Sequence, residues 1–119
     1  MNRRALAIAT AAGVVLQVAM VVAGHLEPAI KAAFAIGGMG FSFLAGYIFA
    51  RLARASWGAA LGGGAAAGAV CAAVGIAVSV ALKDAPVLLL ALGTVSSAVT
   101  GLIGGAVGRM LPAGRAKPA

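Results

Sequence analysis

Residues 5–24 read ALAIATAAGVVLQVAMVVAG, twenty positions without a charged side chain. A helix rises about 1.5 Å per residue, so about twenty apolar residues cover the roughly 30 Å hydrocarbon layer of a bilayer. A helix lying on a protein surface needs a whole polar face; this one offers only Thr10 and Gln17. Arg3 and Arg4 stand before the run, and His25-Leu26-Glu27-Pro28 ends it.

Three further runs of the same kind follow: one after Pro28 and Lys31 as far as Arg51, one from Trp57 to Leu82, and one from Val87 to Val107. Barrel strands would alternate polar and apolar residues over about ten positions, and these runs do not alternate. The reading is an all-α, polytopic membrane protein with four transmembrane helices, about 5–24, 29–52, 57–82 and 86–110, arranged as two hairpins. One domain then covers residues 1–112, with 113–119 as a short basic cytoplasmic tail. Composition agrees. The chain has 119 residues, of which 63% are hydrophobic and 9% charged, against about 25% charged in soluble domains.

The breaks between runs carry ordinary helix punctuation. Pro28 suits the first turn of a helix, and Ser56 before Trp57 suits an N-cap. Lys83-Asp84-Ala85-Pro86 closes the third run and offers Asp84 as a cap for the fourth. The opening Arg3-Arg4 and the small residues Val22-Ala23-Gly24 have the outline of a cleaved signal peptide. A signal's apolar core is about 7–15 residues, shorter than this run, so the first segment is read as a retained span.

The net charge of +7 does not signal nucleic acid, because Lys and Arg flank apolar runs instead of clustering on one face. Arg3, Arg4, Arg51, Arg54, Arg109, Arg115 and Lys117 fall on one side of the four crossings, and only Lys31 and Lys83 on the other. Positive residues stay in the cytoplasm, so both termini are expected there. The expected address is the cell membrane, as the inner membrane of a bacterium.

A shift of 58 residues superimposes Pro28 on Pro86, Gly46 on Gly104, and Arg51 on Arg109. Gly38, Ser42 and Gly46 then fall on Ser96, Thr100 and Gly104, whereas the first and third runs align poorly. A duplicated hairpin would give this echo, with an axis along the membrane normal. Chance matching in a chain rich in Gly and Ala would give it too.

Small residues recur at spacing four, which puts them on one helical face: Gly38, Ser42 and Gly46; Gly64 and Gly68; Gly93, Ser97, Gly101 and Gly105. Such rows let backbones approach closely, and in lipid helices associate through packing and hydrogen bonds. These residues are the expected helix-packing positions. The first run, with only Gly13 among long and branched residues, suits a lipid-facing helix. Gln17, Ser96 and Thr100 are the candidate interhelical or pathway polar groups.

Little in the chain suggests catalysis. Cys71 is the sole cysteine and the sole histidine is His25, at opposite depths, so no nucleophile has its base nearby. Among the outer residues His25, Glu27 and Asp84 no diagnostic metal-ligand spacing occurs. Glu27 is expected to pair with Lys31 four residues on. No Asp, Glu, Lys, Arg or His stands mid-span, where a coupled transporter keeps its ionisable group. The expectations are therefore no enzyme, no cofactor and no metal. The partners expected are the lipid bilayer and either a second copy or another membrane subunit. Function is read first as an oligomeric or accessory membrane subunit acting through helix packing. The alternative is a small oligomeric channel or uncoupled transporter for ions or small solutes.

Overall fold

The computed structural model describes residues 2–111; the expected tail at 113–119 lies outside them. The chain runs α1 (Arg3–Leu26), α2 (Pro28–Lys31), α3 (Phe34–Ala53), α4 (Trp57–Ala81) and α5 (Val87–Met110). The architecture is all-helical, and α1, α3, α4 and α5 are each long and apolar enough to cross a membrane.

Each helix starts and stops for a local reason. Asn2 caps α1 by accepting from the Ala5 amide at 2.9 Å, and Ser56 caps α4 by accepting from Ala59 at 3.4 Å. Arg54 and Lys83 take left-handed backbone conformations at φ 50° and 64° just past α3 and α4. Beyond Lys83, the Asp84 amide bonds back to the Ser79 carbonyl and that of Lys83 to Val80, both at 2.9 Å. This is a Schellman closure, made here without its usual glycine.

Three expectations about the loops are corrected. The second span is not continuous from 29: a one-turn α2 precedes a break at Ala32 and Ala33, and the Phe34 ring then seats against Gly24. Glu27 is extended, at φ −131° and ψ 106°, so it lacks the helical geometry for a pair with Lys31. Asp84 does not cap α5; Pro86 holds that position with no side-chain cap, and Asp84 turns instead to His25 and Lys31.

Helices α3 and α4 touch each other, and α1 and α5 flank that pair from opposite sides while scarcely meeting. α1 is less lipid-facing than its sequence implies. It buries Ala5, Ala9, Gly13, Gln17, Val21 and Gly24, a narrow stripe whose period is set by four-residue steps, and leaves Val15 and Val22 outward.

The packing differs between the two ends. Toward the end bearing Arg3, Arg51, Arg54 and Arg109, here the arginine end, helices meet backbone to backbone. Gly46 lies on the carbonyl of Gly101, Gly104 on that of Phe43, and Gly105 on that of Ala60. A Cβ on Gly64 would stand 2.5 Å from the Gly101 oxygen, and one on Gly68 would stand 2.5 Å from the Ser97 oxygen. Phe49, fully buried on the face of Gly63, fills the remaining space with Ala5, Ala9, Ala50 and Ala60. Arg109 stacks over Trp57 at 5.4 Å, and Arg51 donates to the Leu111 carbonyl at 3.1 Å. Toward the other end, the loop end, side chains intervene: Met20 lies against Gly37, Ile76 against Gly93, and Phe34 against Gly24.

Candidate functional site

That change of packing opens a cavity of about 420 Å³ in the loop-end half. All four long helices line it, from Lys31 and Asp84 at the mouth down to Gln17 and Ser97. Its walls are mainly apolar, with Met20, Phe34, Met39, Ile76, Leu89 and Leu92 among them. The volume lies within the roughly 300–1,000 Å³ of small-molecule sites.

At the floor, Gln17 is 3% exposed. Its Nε2 donates to the Gly38 carbonyl at 2.9 Å and to Ser42 Oγ at 3.2 Å, and lies 3.7 Å from Cys71 Sγ. Ser42 in turn donates to the Gly68 carbonyl at 3.3 Å. A carbonyl can face only the amino half of an amide, so this chain of donors fixes the orientation of Gln17. Its Oε1 is then turned away from Ser42, between Gly38 and Gly75, where added Cβ atoms would lie 3.4 and 3.5 Å from it. Among the described residues no donor meets that oxygen.

One turn beyond Gly75 on the same face of α4 comes Ser79, 2% exposed and on the cavity wall. Its hydroxyl has no hydrogen-bond partner among the described residues. Buried hydroxyls are almost always bonded; among the described residues Ser79 shares this lack only with Thr94, which lies outside the cavity.

The mouth is charged. His25 Nδ1–H donates to Asp84 Oδ2 at 2.7 Å, and Lys31 Nζ donates to Asp84 Oδ1 at 3.2 Å. The Asp84 side chain is only 12% exposed. The hydrogen bond from His25, with further help from Lys31, holds its carboxyl below the usual carboxylate range. Both of its oxygens are occupied, so the trio is a clasp between the α1–α2 turn and the α4–α5 loop. Among the described residues no group of three or more His, Cys, Asp or Glu is arranged to hold a metal.

The residues singled out in the sequence divide by place. Gln17, Gly38, Gly93, Ser96 and Ser97 line the cavity. Gly46, Gly64, Gly68, Gly101 and Gly105 form the close crossings beneath it, and Ser42 belongs to the donor chain of Gln17. Ser96 and Thr100 do not reach another helix. Their hydroxyls donate to the carbonyls of Leu92 and Ser96 on their own helix, at 2.9 and 2.7 Å. The sequence reading missed Ser79 and the His25–Asp84–Lys31 clasp. The four-residue row Cys71, Gly75 and Ser79 was the available signal for Ser79; nothing local announces a contact between loops 59 positions apart.

No protein-family model, curated protein or solved structure matches this chain. What the site can do is therefore read from its own geometry.

Proposed function

We propose that this chain is a small uncoupled membrane carrier that takes an uncharged solute into the loop-end cavity. The carrying observation is the cavity itself: a chamber reaching the buried amide of Gln17 at mid-span and stopped below by the packed layer of Ala45, Ala67 and Cys71. A chamber that reaches mid-span from one end and stops there suits one end state of an alternating-access pathway. The spans supply no Asp, Glu, Lys, Arg or His at mid-depth, which argues against coupling to protons or cations.

The bias of Lys and Arg toward the arginine end orients the protein with both termini in the cytoplasm and the cavity facing out. Maleimide labelling of Glu27→Cys and Arg54→Cys from opposite sides of intact cells tests this. Labelling of both from one side overturns it. Transport itself is tested by uptake of radiolabelled uncharged solutes into proteoliposomes, with Gly38→Leu as the blocked control. Its new side chain would project toward Met20 and the chamber. Uptake above empty vesicles, lost in the variant, supports the carrier; uptake equal to that of empty vesicles rejects it.

A second reading, an oligomeric or accessory subunit, is favoured by one observation. Gly58 and Gly62, four apart on α4, have nothing within 4 Å, whereas Gly101 and Gly105 are used inside the bundle. On this reading Gly62→Leu, and not a change at Gly101, shifts the particle mass in mild detergent; an unchanged monomeric mass for the unaltered protein removes it.

A further inference from the structure

We propose that the cavity is selective for uncharged amphipathic molecules carrying a hydrogen-bond donor. The donor is received by Gln17 Oε1, Ser79 Oγ supplies a second polar contact, and the apolar body lies along Met20, Ile76 and Leu89. The inference rests on reading the cavity as a solute's seat, though not on transport across the membrane.

The polarity of the deep groups decides the ligand class. The Nε2 of Gln17 is spent on Gly38 and Ser42, so the amide presents an acceptor to the chamber. The flanking Gly38 and Gly75 carry no side chain to cover it. An acceptor repels an anion. A cation fares no better: the one carboxylate at the mouth is taken on both oxygens by His25 and Lys31. Below the mouth an ion would meet apolar walls, one amide oxygen and hydroxyls, which do not offset the loss of its hydration. A neutral donor loses far less and gains the unused oxygen.

Ser79 points to a ligand independently. Ser96 and Thr100 satisfy their hydroxyls on carbonyls of their own helix, the ordinary habit of such residues in helices. Ser79, buried on the wall of the chamber, does not; Thr94, the other buried hydroxyl without a partner among the described residues, lies outside the chamber. A bound polar group supplies the missing partner.

A matched set of fluorinated probes tests this: 4-(trifluoromethyl)benzyl alcohol, 4-(trifluoromethyl)benzoate and 4-(trifluoromethyl)benzylammonium. Binding to the full chain in lipid nanodiscs is read by fluorine saturation transfer, with protein-free nanodiscs correcting for partition into lipid. The alcohol is expected to bind saturably and at least about tenfold more tightly than either ion, because an ion loses far more hydration on entering the chamber. Ser79→Ala should weaken the alcohol several-fold without lowering thermal stability, because its hydroxyl bonds to nothing in the empty protein. Gly38→Leu should abolish binding by filling the chamber. Equal or tighter binding of either ion overturns the proposal, as does unchanged affinity in both variants. Alcohol binding without flux in proteoliposomes leaves the ligand class standing and rejects the carrier. Flux of another uncharged solute without alcohol binding rejects the ligand class and spares the carrier; flux of ions alone rejects both.

Discussion

Gln17 lies face to face with Gly75, where a Cβ would come 2.8 Å from its own, and the two residues stand 58 positions apart. The same offset sets Gly13 against Cys71 across α1 and α4, and Ala50 against Gly108 across α3 and α5. It also turns the contact of Gly46 with Gly101 into that of Gly104 with Phe43. Residues meeting their own counterparts in this way are what a two-fold axis along the bundle produces. The relation fails at one place, because α3 touches α4 while α1 and α5 stay apart.

Backbone-to-backbone crossings make the arginine end intolerant of a single methyl group. Gly101→Ala would drive a Cβ into the Gly64 carbonyl, which cannot yield as a side-chain tip can. A loss of about 1–3 kcal/mol is expected from such overpacking. Gly62→Ala, facing open space, should be neutral or stabilising by about 0.5–1 kcal/mol through helix propensity. Thermal or denaturant unfolding in the same detergent compares the two, and an equal effect would contradict the crossing.

The amide of Gln17 should matter less to stability than its burial suggests. Interhelical hydrogen bonds within membranes average about 0.6 kcal/mol and reach at most about 1.7. Gln17→Leu is expected to cost an amount in that range, below the upper part of the range for Gly101→Ala. Its larger effect should be on ligand binding, measured alongside unfolding.

The clasp at the mouth gives stability a dependence on pH. Asp84 has a folded-state pKa lowered chiefly by the hydrogen bond from His25. Its contribution is therefore present above the ordinary carboxylate range and is lost as pH falls through the depressed value. Melting curves of the protein and of Asp84→Asn should be separated at neutral pH and converge in acid. A gap that persists at low pH would show that the carboxylate's charge is not what stabilises the loop.

Lys83 holds a left-handed conformation at φ 64°, which costs a residue with a Cβ about 1–2 kcal/mol. Lys83→Gly should relieve part of that strain and stabilise the fold by about 0.5–1 kcal/mol. Thermal unfolding measures it, and destabilisation would mean that the lysine side chain contributes more than its backbone loses.

The spans and most of their ends were legible in the sequence because lipid imposes a length and excludes charge, and both are read one residue at a time. Ser56 and the glycine rows were legible for similar local reasons. The destination of those rows was not. Gly101 faces Gly64 and Gly46 because of how three helices cross, and a four-residue spacing alone does not say whether the neighbour is the same chain or another. Asp84 misled for the converse reason: its position beside Pro86 suits a cap, but two donors from a distant turn, His25 and Lys31, take both oxygens of the carboxylate. The cavity forms where four helices stop meeting backbone to backbone, a geometry that no single segment encodes.

The unequal ends of the bundle have a mechanical consequence. Glycine crossings cannot slide without collision, so the Gly46–Gly101 crossing behaves as a pivot on which the arginine end opens only by swinging apart. Long side chains such as Met20 and Ile76 change rotamer cheaply, so the loop end behaves as a pair of padded jaws. Any widening of the chamber is then rotation about the Gly46–Gly101 contact, with displacement growing toward the His25–Asp84 clasp.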